Sequence, residues 1–267
     1  GLFATLKRLC GSDALVLDPT ALVAARHDVD ATGVQPLAIL APREADTLGP
    51  AIAAITAQGL AVVPRGGGLS YTAGYVLPVG QAVLVDLSRL DRILAIDPVN
   101  MTVTVEAGAT WKAIHAALAV HDLRLPFFGT FSGAGATVGG GLSHGALFFG
   151  SARYGSAADI LLSMDVVLAD GSVLSTGQAA LRANCHPVFR GFGPDLGGLF
   201  LHDGGAFGIK ARATLRVMRR PAHTGCASFA FSRIDDAVTT LCAIQREGLI
   251  EDGYIMDPGA TDHLDID

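Results

Sequence analysis

Cysteine is scarce in this chain of 267 residues. Cys10, Cys185, Cys226 and Cys242 are scattered, and none has CxxC spacing. That excludes a zinc knuckle or a thioredoxin-like pair, so no metal site is expected and the thiols read as reduced, in a cytoplasmic protein. Charge is also thin. Nineteen Lys and Arg face 25 Asp and Glu, a formal charge of −6, with no basic run. A nucleic-acid surface is therefore excluded. Mean hydropathy is positive, yet no stretch approaches the roughly 18 consecutive apolar residues of a spanning helix. The nearest, residues 160 to 169, is interrupted by Asp165. No signal peptide, internal repeat, low-complexity tract or GxxxxGK[ST] phosphate loop is present.

Glycine, at 33 residues, is what the chain has in abundance. It follows no collagen period and forms no Gly/Ser linker, so it serves turns and close approaches. The most informative cluster follows Leu60-Ala-Val-Val-Pro64, an apolar run of strand type. Arg65, Gly66, Gly67, Gly68, Leu69 and Ser70 come next. Peptide N–H groups in a glycine turn can converge on an anion, and Arg65 and the Ser70 hydroxyl could complete such a nest. A plain tight turn is the other reading of these three glycines.

The coarse pattern is α+β. A helix is expected over residues 2 to 9 and strands over 15 to 17 and 36 to 42. A helix over 43 to 58 carries Leu48, Ile52 and Ile55 at helical spacing, and a strand over 60 to 63 completes a β-α-β unit. Further strands are expected at 82 to 86, 93 to 97 and 101 to 107. Thr110 is a candidate cap for a helix through Trp111, Ile114 and Leu118. Residues 129 to 155 are glycine-rich with little regular pattern. A strand over 158 to 169 leads into an Asp170-Gly171 hairpin, and a strand pair is expected over 206 to 217. A strand at 227 to 231 and a helix over 234 to 247 open a new unit.

Four ordered elements resemble one family. They are Pro64-Arg-Gly-Gly-Gly-Leu-Ser70; Thr104-Val-Glu-Ala-Gly-Ala-Thr-Trp111; Gly129-Thr130 with Ala136-Thr-Val-Gly-Gly140 and Arg153-Tyr-Gly155; and Val166-Val-Leu-Ala-Asp-Gly171 with Gly204-Gly-Ala-Phe-Gly-Ile209 and Ala213-Thr-Leu-Arg216. The set resembles the PCMH-type FAD-binding domain of the vanillyl-alcohol oxidase superfamily, nearest its D-lactate and glycolate dehydrogenase branch, across about residues 33 to 218. Alkyl-dihydroxyacetone-phosphate synthase is a neighbouring family.

The resemblance implies an α+β, two-subdomain fold that sandwiches FAD, followed by the start of a substrate cap. The expected division is an N-terminal helical segment 1–32, the FAD-binding domain 33–218 and a truncated cap 219–267. Arg65 to Ser70 would wrap the FAD pyrophosphate. Gly129, Thr130, Ala136, Thr137, Gly139 and Gly140 would run along the flavin, and Gly204, Gly205, Gly208 and Ile209 would close over it. The implied reaction is hydride transfer from a small 2-hydroxy acid to flavin N5, with an electron acceptor other than oxygen. The implied alternatives are an ether-lipid-synthase-like or other alcohol-oxidising enzyme, or a non-catalytic flavin subunit of a larger complex. A homo-oligomer or a peripheral place at a membrane is compatible with each.

Four departures stand out. Leu69 replaces the histidine that tethers FAD in some members, so no histidyl link is expected there. Gly141 stands where the branch usually has asparagine. Asp203-Gly-Gly-Ala-Phe-Gly208 replaces the usual Ser-Glu-Gly-Thr-Leu-Gly. Family members are longer, and their base and metal ligands would lie beyond residue 267. His144 and Arg153 are the catalytic candidates within the chain. His144 could face the flavin edge or be an ordinary bonded histidine; Arg153 could neutralise an anion or pair with Asp159. In His202-Asp203, adjacent strand residues would face apart, which favours a structural role. Gly133-Ala-Gly-Ala-Thr-Val-Gly139 imitates a nicotinamide-cofactor fingerprint but has a poor strand before it and a poor helix start at Gly139 to Gly141.

Overall fold

The computed structural model describes residues 1 to 257 and 259, apart from 79, 129 to 131, 148, 182 to 186, 192 and 258. Two sheets organise it. The first contains β1 (Leu15–Val16), β2 (Ala38–Leu40), β3 (Ala61–Arg65) and β4 (Ala82–Asp86) in the order β1-β2-β4-β3. β4 lies parallel between β2 and β3, and β1 pairs antiparallel with β2. Helices cover both faces, which is why the β2 and β4 sequences are apolar throughout instead of alternating. On one face α1 (Leu2–Cys10) and α3 (Leu48–Thr56) bring Leu6, Leu48, Ile52 and Ile55 against Leu40, Val83 and Val85. On the other, Leu22 of α2 (Pro19–Ala24) packs with Ile39, Leu84 and Tyr75. α1, β1 and α2 thus contribute to the first sheet and its cores. Pro64 is tolerated because β3 is an edge strand.

The second sheet is antiparallel: β5 (Ile93–Asp97), β6 (Thr102–Glu106), β8 (Leu161–Val167), β9 (Val173–Ser175) and β10 (Ile209–Arg216) in the order β5-β6-β10-β8-β9. A short pair joins β7 (Leu123–Arg124) to β11 (Met218–Arg219). Val103, Val105 and Leu215 from the strands pack with Trp111, Ile114 and Leu118 of α4 (Trp111–Ala119) and Leu142 of α5 (Val138–His144). β10 connects the two halves. Ile209 and Ala211 belong to the first core, Ala213 and Leu215 to the second, with a register shift between Lys210 and Arg212.

Several expectations change. The region 206 to 217 forms one eight-residue strand, β10, because it pairs along both edges and needs no hairpin. The strand expected at 158 to 169 begins only at Leu161. Residues Ala157–Ile160 form a 3-10 turn, closed by a reciprocal Ser156–Asp159 cap. The glycine-rich stretch 129 to 155 contains two helices, α5 and α6 (Ser151–Tyr154). Residues 227 to 231 form no strand; they have no strand neighbour, and Phe229 stands exposed. The helix after them, α7 (Ile234–Arg246), buries only Ala237.

Candidate functional site: a glycine-lined cleft between the sheets

α5 has three consecutive glycines in its first turns, each costing roughly 1 kcal/mol against alanine in a helix interior. What starts it is docking. The Thr137 hydroxyl accepts from Gly140 N as an N-cap. Val138 N donates to the Ala109 carbonyl at 2.9 Å and Gly139 N to the Ala107 carbonyl at 2.8 Å. Thr110 caps α4 beside it by accepting from Ala113 N at 3.2 Å. A Cβ at Gly139 would stand 2.9 Å from the Ala107 Cβ, so the contact needs glycine. The threonine before an apolar residue, Thr137-Val138, is the signal in the sequence that announces this helix start. Among the described residues the strand before it is β7, in a two-stranded antiparallel pair and not a parallel sheet, so the nicotinamide-type fingerprint lacks its frame.

The loop leaving β3 meets α5 face to face. A Cβ at Gly66 would strike Thr137 Oγ1, and one at Gly67 the Gly135 carbonyl. Gly68 has φ of +71°, a left-handed conformation that glycine adopts without strain. The Tyr75 hydroxyl donates to the Gly68 carbonyl at 2.8 Å, and its ring lies under the Arg65 guanidinium at 5.0 Å. Burial pushes the Tyr75 phenol up. Ser70 Oγ accepts from Thr72 N and Gly74 N at 3.2 and 3.0 Å.

Between this loop, α5 and β10 lies a cleft of about 430 Å3. Arg65, Gly66, Gly67, Gly68, Leu69 and Ser70 line it, as do Ala136, Thr137, Gly139 and Gly140, and Gly204, Gly205 and Gly208. The three separated segments singled out in the sequence therefore meet at one place. Gly129 and Thr130 lie outside the described residues. Ile209 does not line the cleft; its side chain is packed in the first core. His144 lines it, and burial holds its imidazole below the ordinary range. Arg153 does not: its guanidinium stacks on Tyr154 at 5.6 Å, while the Asp159 carboxylate is bonded to Ser156.

His202 and Asp203 lie in a turn, not on a strand, with His202 at φ +56°. The Asp203 side chain is fully buried and pairs with buried Lys210 at 2.7 Å. It also accepts from Gly205 N at 2.9 Å, which shapes the loop over the cleft. Burial lowers the Lys210 ammonium, and Asp203 opposes that shift. Lys210, Trp111, Tyr75 and Ala107 line the cleft and were not singled out as site residues in the sequence. A lysine within a strand and a tryptophan at a helix start give no local sign of facing a cavity.

The lining carries Arg65, Lys210 and His144 and, among the described residues, no carboxylate. On two lining residues the donors Arg65 Nε and Trp111 Nε1 are buried with no partner among the described residues. Buried donors left unmet cost about 1–3 kcal/mol each. The cleft thus offers the Arg65 guanidinium and bare backbone, which suit an anionic ligand with a flat, extended body. FAD fits those terms: its diphosphate supplies acceptors, and eleven glycines give it close approach.

Comparison with known proteins agrees. A family described as an FAD binding domain matches residues 36–177. The chain is 28% identical over 218 residues to D-lactate dehydrogenase [cytochrome] 1, mitochondrial, of Saccharomyces cerevisiae, covering 80% of this chain and 35% of that protein. It is 26% identical over 255 residues to glycolate oxidase subunit GlcD of Escherichia coli K12, covering 96% and 49%. Among solved structures, alkyldihydroxyacetonephosphate synthase superposes with a TM-score of 0.77 at 20% identity, over 93% of this chain and 50% of that one. For p-cresol methylhydroxylase with substrate bound the values are 0.73, 21%, 83% and 44%. The chain spans half or less of the length of each relative.

Proposed function

The chain belongs to the FAD binding domain family, and from that premise we propose that it is the flavin-holding part of an oxidoreductase acting on a small 2-hydroxy acid of the D-lactate or glycolate kind. The observation that carries the reading is the cleft itself, where the Arg65–Gly68 turn, the start of α5 and the Gly204–Gly208 loop converge. The backbone N–H groups of residues 66 to 68 and the Arg65 guanidinium hold the diphosphate. Ala136, Thr137, Gly139 and Gly140 form a floor thin enough for a planar ring, and Gly204, Gly205 and Gly208 close the opposite side. FAD, when bound, supplies the hydride acceptor. The protein's part is to orient it and to keep water from it. Leu69 offers no nucleophile, so the cofactor is held there without a covalent bond. His144, whose neutral form burial favours, is an imidazole in the cleft that can accept a proton.

The purified chain tests this directly. It should be yellow, or become so with added FAD, and denaturation should release the flavin. D-lactate or glycolate added without oxygen should bleach the flavin bands of the assembled enzyme. A colourless chain that refuses FAD would sink the proposal. A chain that binds FAD and is bleached by no hydroxy acid would instead be a flavin-carrying subunit. The word "subunit" in the name of the glycolate oxidase relative makes that second reading worth the experiment.

A further inference from the structure

The peptide N–H groups of the loop after β3 fall into two sets. Those of Gly66, Gly67 and Gly68 meet no acceptor among the described residues, which leaves them open to a ligand. Those of Thr72, Ala73 and Gly74 are all bonded within the protein. Ser70 Oγ accepts from Thr72 N at 3.2 Å and Gly74 N at 3.0 Å, and between them the Asp28 carboxylate accepts from Ala73 N at 2.8 Å. Thr72, Gly74 and Tyr75 line the cleft.

Asp28 comes from outside that loop, ahead of the residues that the family match covers. It opens a turn closed on itself. Its Oδ1 accepts from Asp30 N and Ala31 N at 2.9 and 2.6 Å, and its own N–H donates to the Ala31 carbonyl at 3.1 Å. His27 Nδ1 and Thr32 Oγ1 stand 2.9 Å apart across the mouth of the turn. The carboxylate is thereby fixed, and Oδ2 reaches the loop. Val29 N, in the same turn, donates to the Ser70 carbonyl at 3.1 Å. The turn thus grips the loop at Ser70 and again at Ala73. Ala73 has φ of +57°, a left-handed conformation that alanine disfavours. A residue stays in such a conformation only where its surroundings compel it. Gly74 follows directly, and a Cβ there would strike the His144 imidazole, so the path of the loop also sets where that ring can lie. Resting on the reading of the cleft as an FAD site, we infer that Asp28 is a positioning residue of that site: it holds Ala73 in its left-handed conformation and so keeps residues 72 to 75 in the wall, while the N–H groups of residues 66 to 68 stay free for the diphosphate.

Glycine adopts a positive φ without strain, so a glycine at residue 73 stands in for the brace. Asp28→Ala should weaken FAD binding by about tenfold. Ala73→Gly in that background should recover most of the loss, yet leave the affinity of the otherwise wild-type chain within about twofold. A side chain that merely stabilised the fold would show no such coupling to the backbone of one residue. Binding of FAD by Asp28→Ala within about twofold of the wild type overturns the inference, as does a loss that Ala73→Gly leaves unrecovered, and both leave the site reading intact. Should Asp28→Ala fail to fold, amide exchange in the wild type decides. The Ala73 amide should be protected before FAD is added, and those of Gly66, Gly67 and Gly68 only afterwards. An Ala73 amide that exchanges as freely as that of Gly67 in the unloaded chain overturns the inference equally. A wild-type chain that does not bind FAD overturns both the site reading and the inference.

Discussion

The two walls of the cleft are held by different physics. The wall from Arg65 to Tyr75 is held by neutral and backbone contacts: Tyr75 Oη on the Gly68 carbonyl, Ser70 Oγ under two peptide N–H groups, and Val29 N on the Ser70 carbonyl at 3.1 Å. Its charged brace, Asp28, accepting from Ala73 N at 2.8 Å, is only half-buried. The wall from Asp203 to Lys210 is held by a buried ion pair. Many small contacts tolerate the loss of one. A buried pair does not, because removing either partner strands the other charge in a medium that solvates it poorly.

Asp203→Ala is therefore expected to be the most damaging single change, at about 3–5 kcal/mol of stability, since it leaves the Lys210 ammonium unpaired. Replacing the two together, Asp203→Leu with Lys210→Met, should recover much of that loss. Denaturant unfolding of the three chains measures it. If Asp203→Ala costs no more than Asp28→Asn in the other wall, the contrast between the walls is wrong.

The next effect sharpens the contrast from the other side. Gly67→Ala forces a Cβ onto the Gly135 carbonyl, so loop and floor must part. Overpacking of this kind costs about 1–3 kcal/mol, and FAD affinity should fall by more than the stability loss implies. Gly204→Ala meets open space, and its φ of +60° makes the strain local, roughly 1–2 kcal/mol. Calorimetric FAD titrations of both variants separate the cases. Equal losses of affinity would mean that the close approach at Gly67 has no special role in the cleft.

The contrast also governs what could be read in advance. The Arg65–Ser70 wall is legible because its device is local, and because three glycines after a strand, which alone fit a tight turn as well, stand in order with the motifs that follow. The strands β2 and β4 are legible because their apolar runs reflect covered faces, and β6 because its valines alternate with threonines. The partner of Lys210 is not legible, for a lysine within a strand gives no sign of being sealed. The helix α5 is hidden by its own glycines, whose low propensity is overridden by docking onto Ala107 and Ala109. The expected strand at residues 227 to 231 fails for the opposite reason. A period-two pattern specifies a strand only where an edge is present to pair with it. Gly204, Gly205 and Gly208 line the cleft, and so does His144, for which the sequence left an ordinary bonded histidine open, whereas Arg153 is diverted by the ring of its neighbour Tyr154.

The smallest expected effect joins the two walls through His144, which lines the cleft beside Gly74 and feels Asp203 and Lys210. Burial is the largest influence on it and disfavours the imidazolium; Lys210 acts in the same direction and Asp203 against it. The folded pKa therefore lies below that of the unfolded chain, about 6.5. Between those two values the unfolded chain binds more protons, so stability falls as pH drops through that window and is level above it. His144→Asn should flatten this slope, and the difference between the two chains isolates the residue from the other histidines. Unfolding curves at pH 5 to 8 read this directly. A slope that His144→Asn leaves unchanged would remove His144 from the electrostatics of the cleft.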